Sequence, residues 1–172
     1  MKIAHAAAAE APLLASLHAR CFAQAWDAKA FAELLKLENV FAFIVHEGET
    51  AAGFIMIRVA ADEAECLSIG VLPEYRKQGL AHELVLAAAQ RAFGVGARTL
   101  FLEVDVNNAP ARALYRKLGF DEAGQRRGYY RSCESLADAL VLRRVLPIPR
   151  MGIVVELHYS AGAENSCVDE PD

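Results

Sequence analysis

The sequence predicts an α+β domain, a mixed and mostly antiparallel sheet with helices packed on it. Three observations carry this. Between residues 41 and 72 three runs rich in branched and aromatic residues follow one another with only short turns between them, as in an antiparallel meander. Residues 79–93 then switch to helical spacing, and 99–106 return to a strand, so a crossover helix joins two strands of one sheet. At 172 residues, with 55% hydrophobic and 23% charged content, the chain suits one substantial core and not two ordinary domains.

In chain order, Ile3 and its neighbours predict a short first strand. Leu13, Leu14, Leu17 and Cys21 then recur at helical spacing after Pro12, a residue tolerated in a first helical turn. Asp27 is placed to cap a second helix in which Phe31, Leu34 and Leu35 share a face. FAFIVHE (41–47), a turn at Gly48 and AAGFIMIRVA (51–60) read as a hairpin, and Asp62-Glu63 turns the chain into AECLSIGVL (64–72). In the next helix Leu80, Leu84, Ala87 and Ala88 line one face, Glu83, Gln90 and Arg91 point elsewhere, and Gly94 marks the stop. After TLFLEVDV (99–106), a parallel neighbour of 64–72, Asn108 caps a helix with Ala111, Leu114, Tyr115 and Leu118 on one face and Gly119 at its end. FDEAGQRRGYYRS and ADALVLRRVL supply two more strands. The expected domain spans 1–146, and 147–172, with IVVEL (153–157) and an acidic end, forms a partly disordered extension.

Composition excludes several function classes. The net charge is −4, which lacks the positive field of a general nucleic-acid binder, so any bound anion must meet local positive charge. Cys21, Cys66, Cys133 and Cys167 form no CxxC pair, so no metal site is expected and the thiols read as reduced and packed. MKIAHAAAAEAPLL resembles a secretory leader, but His5 and Glu10 interrupt the apolar run. No stretch reaches the ~18 apolar residues of a membrane span. The expectation is a cytoplasmic protein without membrane or nucleic-acid contact.

The segment LPEYRKQGLAH (72–82) raises a function. A strand, a short loop, Gly79 and a helix start make an anion site, because the first helical N–H groups are unpaired and the dipole end is positive. Gly79 allows close approach to the backbone, and Arg76 and Lys77 add charge. The segment matches neither GxxxxGK[ST] nor GxGxxG. On these residues alone, two readings stand: a phosphate or pyrophosphate cradle, or a tight turn with solvated basic side chains.

The string VLPEYRKQGLA (71–81), together with FLEVDVNNAPARALYRKLGF (101–120), QRRGYYRS (125–132) and DALVLRR (138–144), resembles the GCN5-related N-acetyltransferases (GNAT). The similarity is closest to the bacterial ribosomal-protein alanine N-acetyltransferases, over roughly residues 1–146 and more weakly before residue 40. It implies acetyl-CoA as cosubstrate, with its pyrophosphate at Arg76, Lys77, Gln78, Gly79, Leu80 and Ala81, where Ala81 takes the family's Gly/Ala position. For His82, phosphate contact and a merely exposed helical position are both open. The resemblance further implies that strand 64–72 splays from 99–106, so that the backbone of Ile69, Gly70 and Val71 hydrogen-bonds the pantetheine arm like an added strand, with Asn108 also contacting the arm.

Acetyl transfer to an amine needs a base for the amine, a stabilised oxyanion and a proton for the departing thiolate. Glu103, a lone carboxylate between Leu102 and Val104, suits the base, and partial desolvation would strengthen it. The resemblance has it act through a water. A phenol of pKa ~10 at Tyr115, on the inward face of its helix, suits protonation of a thiolate whose acid lies near ~8.5. Taken singly, Tyr115 also reads as a core aromatic and Glu103 as a strand carboxylate paired with an arginine; the family match favours catalysis. The dense basic run from Arg112 to Arg131 offers partners for a 3′-phosphate or simply helix-end charge.

An α-amino group, pKa near ~7.7–8.0, suits a mild carboxylate base better than lysine near ~10.4. The expected acceptor is therefore a protein or peptide N-terminus of Ala or Ser type, with a ribosomal protein as first choice. The resemblance places the acceptor groove at Phe22 and Trp26 and at Gly128-Tyr129-Tyr130, although each aromatic also reads as ordinary packing. The loop RSCESLAD (131–138) departs from the ribosomal enzymes and leaves the acceptor open. Two other readings stay in view, an enzyme of the same fold acting on small amines and a non-catalytic CoA-binding or partner-binding module.

Overall fold

The structure, a computed structural model, describes residues 1–131 and 136–149, with side chains described within 1–127 and 138–149. Seven strands form one sheet: β1 (Lys2–Ala6), β2 (Val40–Glu47), β3 (Thr50–Ala60), β4 (Glu63–Val71), β5 (Thr99–Asp105), β6 (Asp121–Arg131) and β7 (Leu136–Val145), in the order β1-β2-β3-β4-β5-β7-β6. The pair β4 and β5 is parallel, and every other neighbour pair is antiparallel. The expected α+β class, meander and crossover are all present.

Helices α1 (Ala11–Cys21) and α2 (Ala28–Leu35) cover one face, and α3 (Leu80–Gly94) and α4 (Ala109–Lys117) the other. Each sheet face therefore owns a core. Phe54 and Met56 of β3 join Leu14, Leu17 and Phe31 beneath α1 and α2, while Ile55 and Ile57 join Leu84, Leu100, Leu102 and Tyr115 on the other side. This is strand alternation applied to a sheet covered on both faces. Burying a side chain such as Phe31 or Phe54 contributes about 1.5–3 kcal/mol relative to exposure.

Asp27 and Asn108 cap α2 and α4 as their types predict, accepting from Ala30 N–H at 2.8 Å and Ala111 N–H at 3.2 Å. Two details differ from expectation. Leu13 is exposed, and the buried face of α1 runs through Ala11, Leu14, Leu17 and His18 instead. Glu83 does not point away from the core but is buried, 7% exposed, because α3 is covered on nearly all sides near its start. The last residue of α3 is Gly94, the expected stop, and Val95 and Gly96, the latter at φ +109°, lead the chain out of the helix.

The β3–β4 ladder shifts register between Met56 and Ile57: Met56 faces Ser68 and Ile57 faces Cys66, leaving Leu67 as an extra residue. A bulge of this kind bends a strand and increases its twist. The parallel ladder of β4 with β5 comprises Glu63↔Thr99, Ala64↔Leu100 and Glu65↔Phe101, and ends there. Beyond Glu65 the bulged strand parts from β5, so the expected splay is present, just where the bulge re-aims the chain. Segment 153–157 and Cys133 and Cys167 lie outside the described residues.

Candidate active site

Past the end of β4 the chain makes a short 3₁₀ turn, Pro73–Tyr75, before α3 begins. Gly79 is left-handed at φ +83°, as only glycine readily is, and a Cβ placed there would meet nothing within 4 Å. Conformation, not crowding, demands the glycine, and the space in front of it is open. Glu83 N–H donates to Gly79 C=O at 3.2 Å, so the amides preceding Glu83 lie ahead of the helical ladder, and no side chain caps them. Lys77 is also left-handed, at φ +63°, which the sequence did not signal; such turns aim successive N–H groups toward one side. The loop thus fits an anionic phosphate ester.

The basic residues of the loop are exposed. Arg76 Nε donates to Val71 C=O at 3.1 Å and ties the loop back to the end of β4, while Gln78 Nε2 reaches Glu74 C=O at 3.4 Å. Glu74 is itself held by Arg20 of α1. His82 is half-exposed beside the loop, with Nδ1 2.9 Å from the buried Glu83 Oε1. Ile69 and Val71 pack their side chains toward the α3 core, which presents the β4 backbone along the line where β5 has parted. Gly70 is closely packed: a Cβ there would sit 2.9 Å from Cys21 Sγ and 3.0 Å from Phe54 Cε1.

Glu103 and Tyr115 lie on opposite faces of the sheet. In β5 Leu100, Leu102 and Val104 point into the α3 core, so Glu103 points to the face that carries α1 and α2. There it lines a cavity of about 340 Å³ with Arg58, Glu63, Glu65, Phe101 and Val141. Glu103 is not a lone carboxylate, because Arg126 Nη1 donates to its Oε1 at 2.6 Å. Tyr115, 4% exposed, belongs to the α3 core and meets Phe120 edge-on at 5.6 Å. Arg112 of the basic run donates to Val106 C=O at 3.0 Å and holds the start of α4 against the end of β5.

On the Glu103 face, the loop between α1 and α2 carries Phe22, 38% exposed, and Trp26, which packs inward against His18 and Phe31. His18, absent from the candidates above, proves central to this cluster. A buried histidine on a helix looks in sequence like any polar interruption, and only the aromatic spacing of Phe22, Trp26 and Phe31 hinted at it. The backbone of Tyr129 and Tyr130 lies in β6, where Tyr130 pairs with Ala137; their side chains fall outside the described part. Among the described residues there is no cluster of His, Cys, Asp and Glu fit to hold a metal ion, and no helix is long and apolar enough to cross a membrane.

Comparison with known proteins agrees with this geometry. The model of the acetyltransferase (GNAT) family matches residues 11–120. The chain is 36% identical over 137 residues to the [ribosomal protein bS18]-alanine N-acetyltransferase of Escherichia coli K12, covering 80% of this chain and 90% of that one. It is 34% identical over 142 residues to the N-alpha-acetyltransferase RimI of Mycobacterium tuberculosis, covering 79% and 87% of the two chains. Among solved structures, the ribosomal-protein-S18-alanine N-acetyltransferase from Escherichia coli superposes with a TM-score of 0.77 at 33% identity, over 91% of this chain and 99% of that one. The match spans the Gly79 loop, the parted strands and the helix that carries Tyr115, and on it the chain belongs to the acetyltransferase (GNAT) family and is an acyltransferase.

Proposed function

We propose that the chain acetylates the N-terminal α-amino group of a protein, with a ribosomal protein such as bS18 as the leading candidate and acetyl-CoA as donor. The observation that carries the reading is the parting of β4 from β5 after Glu65 and Phe101, with the Gly79 turn at one end of the opening and Glu103 beside it. Residues on opposite sheet faces, Glu103 and Tyr115, can serve one reaction only through such an opening. Relatives named as bS18-alanine N-acetyltransferases support the choice of acceptor.

In this reading the amides from Lys77 to His82 take the pyrophosphate, and the backbone of Ile69, Gly70 and Val71 extends the sheet onto the pantetheine arm. Glu103, through a water, removes a proton from the incoming amine. The amine nitrogen attacks the thioester carbonyl, the C–N bond forms and the C–S bond breaks. Tyr115 gives its phenolic proton to the departing thiolate, since a phenol and a thiol lie within ~2 pKa units of each other. Phe22 and Trp26 wall the acceptor side together with Tyr129 and Tyr130. Asn108 sits by the arm while capping α4.

The test is incubation with acetyl-CoA and a peptide library holding free α-amines and lysines, followed by mass spectrometry. Acetyl groups confined to N-termini, with Ala or Ser first, are expected. Turnover of polyamines or amino sugars but not peptides would replace the acceptor class, and acetyl-CoA binding without any transfer would replace catalysis by a binding role.

A further inference from the structure

Both ends of the loop joining α1 to α2 are tied to one residue. Phe22 N–H donates to the His18 carbonyl at 2.9 Å, and Trp26 N–H donates to His18 Nδ1 at 3.3 Å. The ring of His18 lies between those of Phe22, at 4.4 Å and 31°, and Trp26, at 5.2 Å and 16°. Below it Phe31 and Phe54 meet it at 5.6 Å and 5.7 Å. His18 is 3% exposed, and Phe54 in turn lies against Gly70 of β4. One imidazole thus connects the loop to the strand that borders the opening.

We propose that His18, neutral and carrying its proton on Nε2, is a positioning residue for the acceptor: it fixes Phe22 and Trp26 as a wall of the acceptor site. This rests on the acceptor side assigned above. An Nδ1 that accepts from Trp26 must be unprotonated, so the second ring nitrogen bears the hydrogen. Protonation would set an N–H against the Trp26 N–H and free that end of the loop. Burial pushes the His18 pKa below its ordinary 6.5, so the neutral form holds at physiological pH. Of the charged and titratable groups around it, Asp27 of the loop is engaged in capping Ala30 N–H, Arg20 of α1 is paired with Glu74, and Cys21 of α1 turns toward Gly70. The facing elements α2 and β3 contribute Phe31 and Phe54, which do not titrate.

Trp26 is the chain's one tryptophan, so its fluorescence reports this contact directly. In the full-length protein, emission should fall on acidification with a midpoint below 6.5, as the stacked ring becomes an imidazolium, and His18→Phe and His18→Asn should abolish that transition. In steady-state assays at neutral pH, His18→Phe, which keeps a ring but loses the acceptor atom, should raise the KM for an N-terminal peptide about fivefold, the worth of one ~1 kcal/mol hydrogen bond. Its kcat and its KM for acetyl-CoA should stay near wild type. His18→Asn, whose Oδ1 can stand where Nδ1 stood, should recover part of the peptide KM. Circular dichroism checks that both variants fold. Emission independent of pH in the wild type, an unchanged peptide KM in a folded His18→Phe, or equal rises for both substrates would overturn the inference. Absence of wild-type turnover with any peptide would instead defeat the functional reading, and the fluorescence titration would still judge the tie between His18 and Trp26.

Discussion

Arg126 Nη1 lies 2.6 Å from Glu103 Oε1, so a guanidinium from the edge strand β6 reaches across β7 to the carboxylate of β5. The contact occupies the group assigned to receive the acceptor's proton, and an approaching amine must share Glu103 with it. Because the arginine is largely exposed, the ion pair contributes only about 0–1 kcal/mol to stability. Glu103→Gln is therefore expected to unfold at nearly the wild-type urea midpoint while losing roughly 10²-fold or more in kcat, the usual worth of a general base. Steady-state kinetics beside a denaturation curve separates the two effects. A variant with full activity removes Glu103 from the mechanism.

Tyr115→Phe keeps the ring in its edge-on contact with Phe120 and removes only the hydroxyl. Turnover should fall by about 10²-fold, the lower range for a general acid, with the acetyl-CoA KM changed little. The check is kcat and KM for both substrates. Equal losses in acetyl-CoA affinity and turnover would mark the hydroxyl as a binding group instead.

Gly79→Ala forces a Cβ into a left-handed residue, at a cost of about 1–2 kcal/mol, although the space before it is open. If the turn relaxes to relieve that strain, the amides lose their aim. Calorimetric titration with acetyl-CoA should show roughly tenfold weaker binding, the equivalent of ~1.4 kcal/mol, with only a modest drop in melting temperature. Unchanged affinity would place the pyrophosphate elsewhere.

Gly53 of β3, opposite Val71, and Gly70 of β4, opposite Phe54, are diagonal neighbours across the ladder and should not tolerate alanine equally. A Cβ on Gly53 would stand 2.6 Å from the Gly70 carbonyl oxygen, a ladder atom that cannot move alone, whereas a Cβ on Gly70 meets side chains, Cys21 Sγ at 2.9 Å and Phe54 at 3.0 Å. Urea denaturation should show Gly53→Ala as the more damaging change and Gly70→Ala costing about 1–3 kcal/mol, as overpacking does. Adding Cys21→Ala should restore part of the Gly70→Ala loss.

The element order was legible because local chemistry fixes it. Asp27 and Asn108 cap the helices they were expected to cap, Gly79 takes the left-handed turn, and the runs of 41–72 form the meander. Gly79 and Asn108 also belong to the strings 71–81 and 101–120 that, with 125–132 and 138–144, carry the family resemblance. Glu83 was misread because periodicity reports one helix face and not how many neighbours cover it, and α3 is covered almost all round at that point. His18 was missed for the converse reason, since its partners Phe22, Trp26, Phe31 and Phe54 come from a helix, a loop and a strand.

By itself, then, the sequence determined what depends on spacing along the chain: the α+β class, the caps, the left-handed turn at Gly79 and the candidate acid and base. Only the tertiary structure decided what depends on contacts between distant segments. It set Glu103 and Tyr115 on opposite faces of the sheet, paired Glu103 with Arg126, and made one buried histidine the anchor of the loop on the Glu103 face. Such contacts form between residues 8 to 36 positions apart or lie on different elements, where no local period constrains them. Side-chain packing in three dimensions alone selects them.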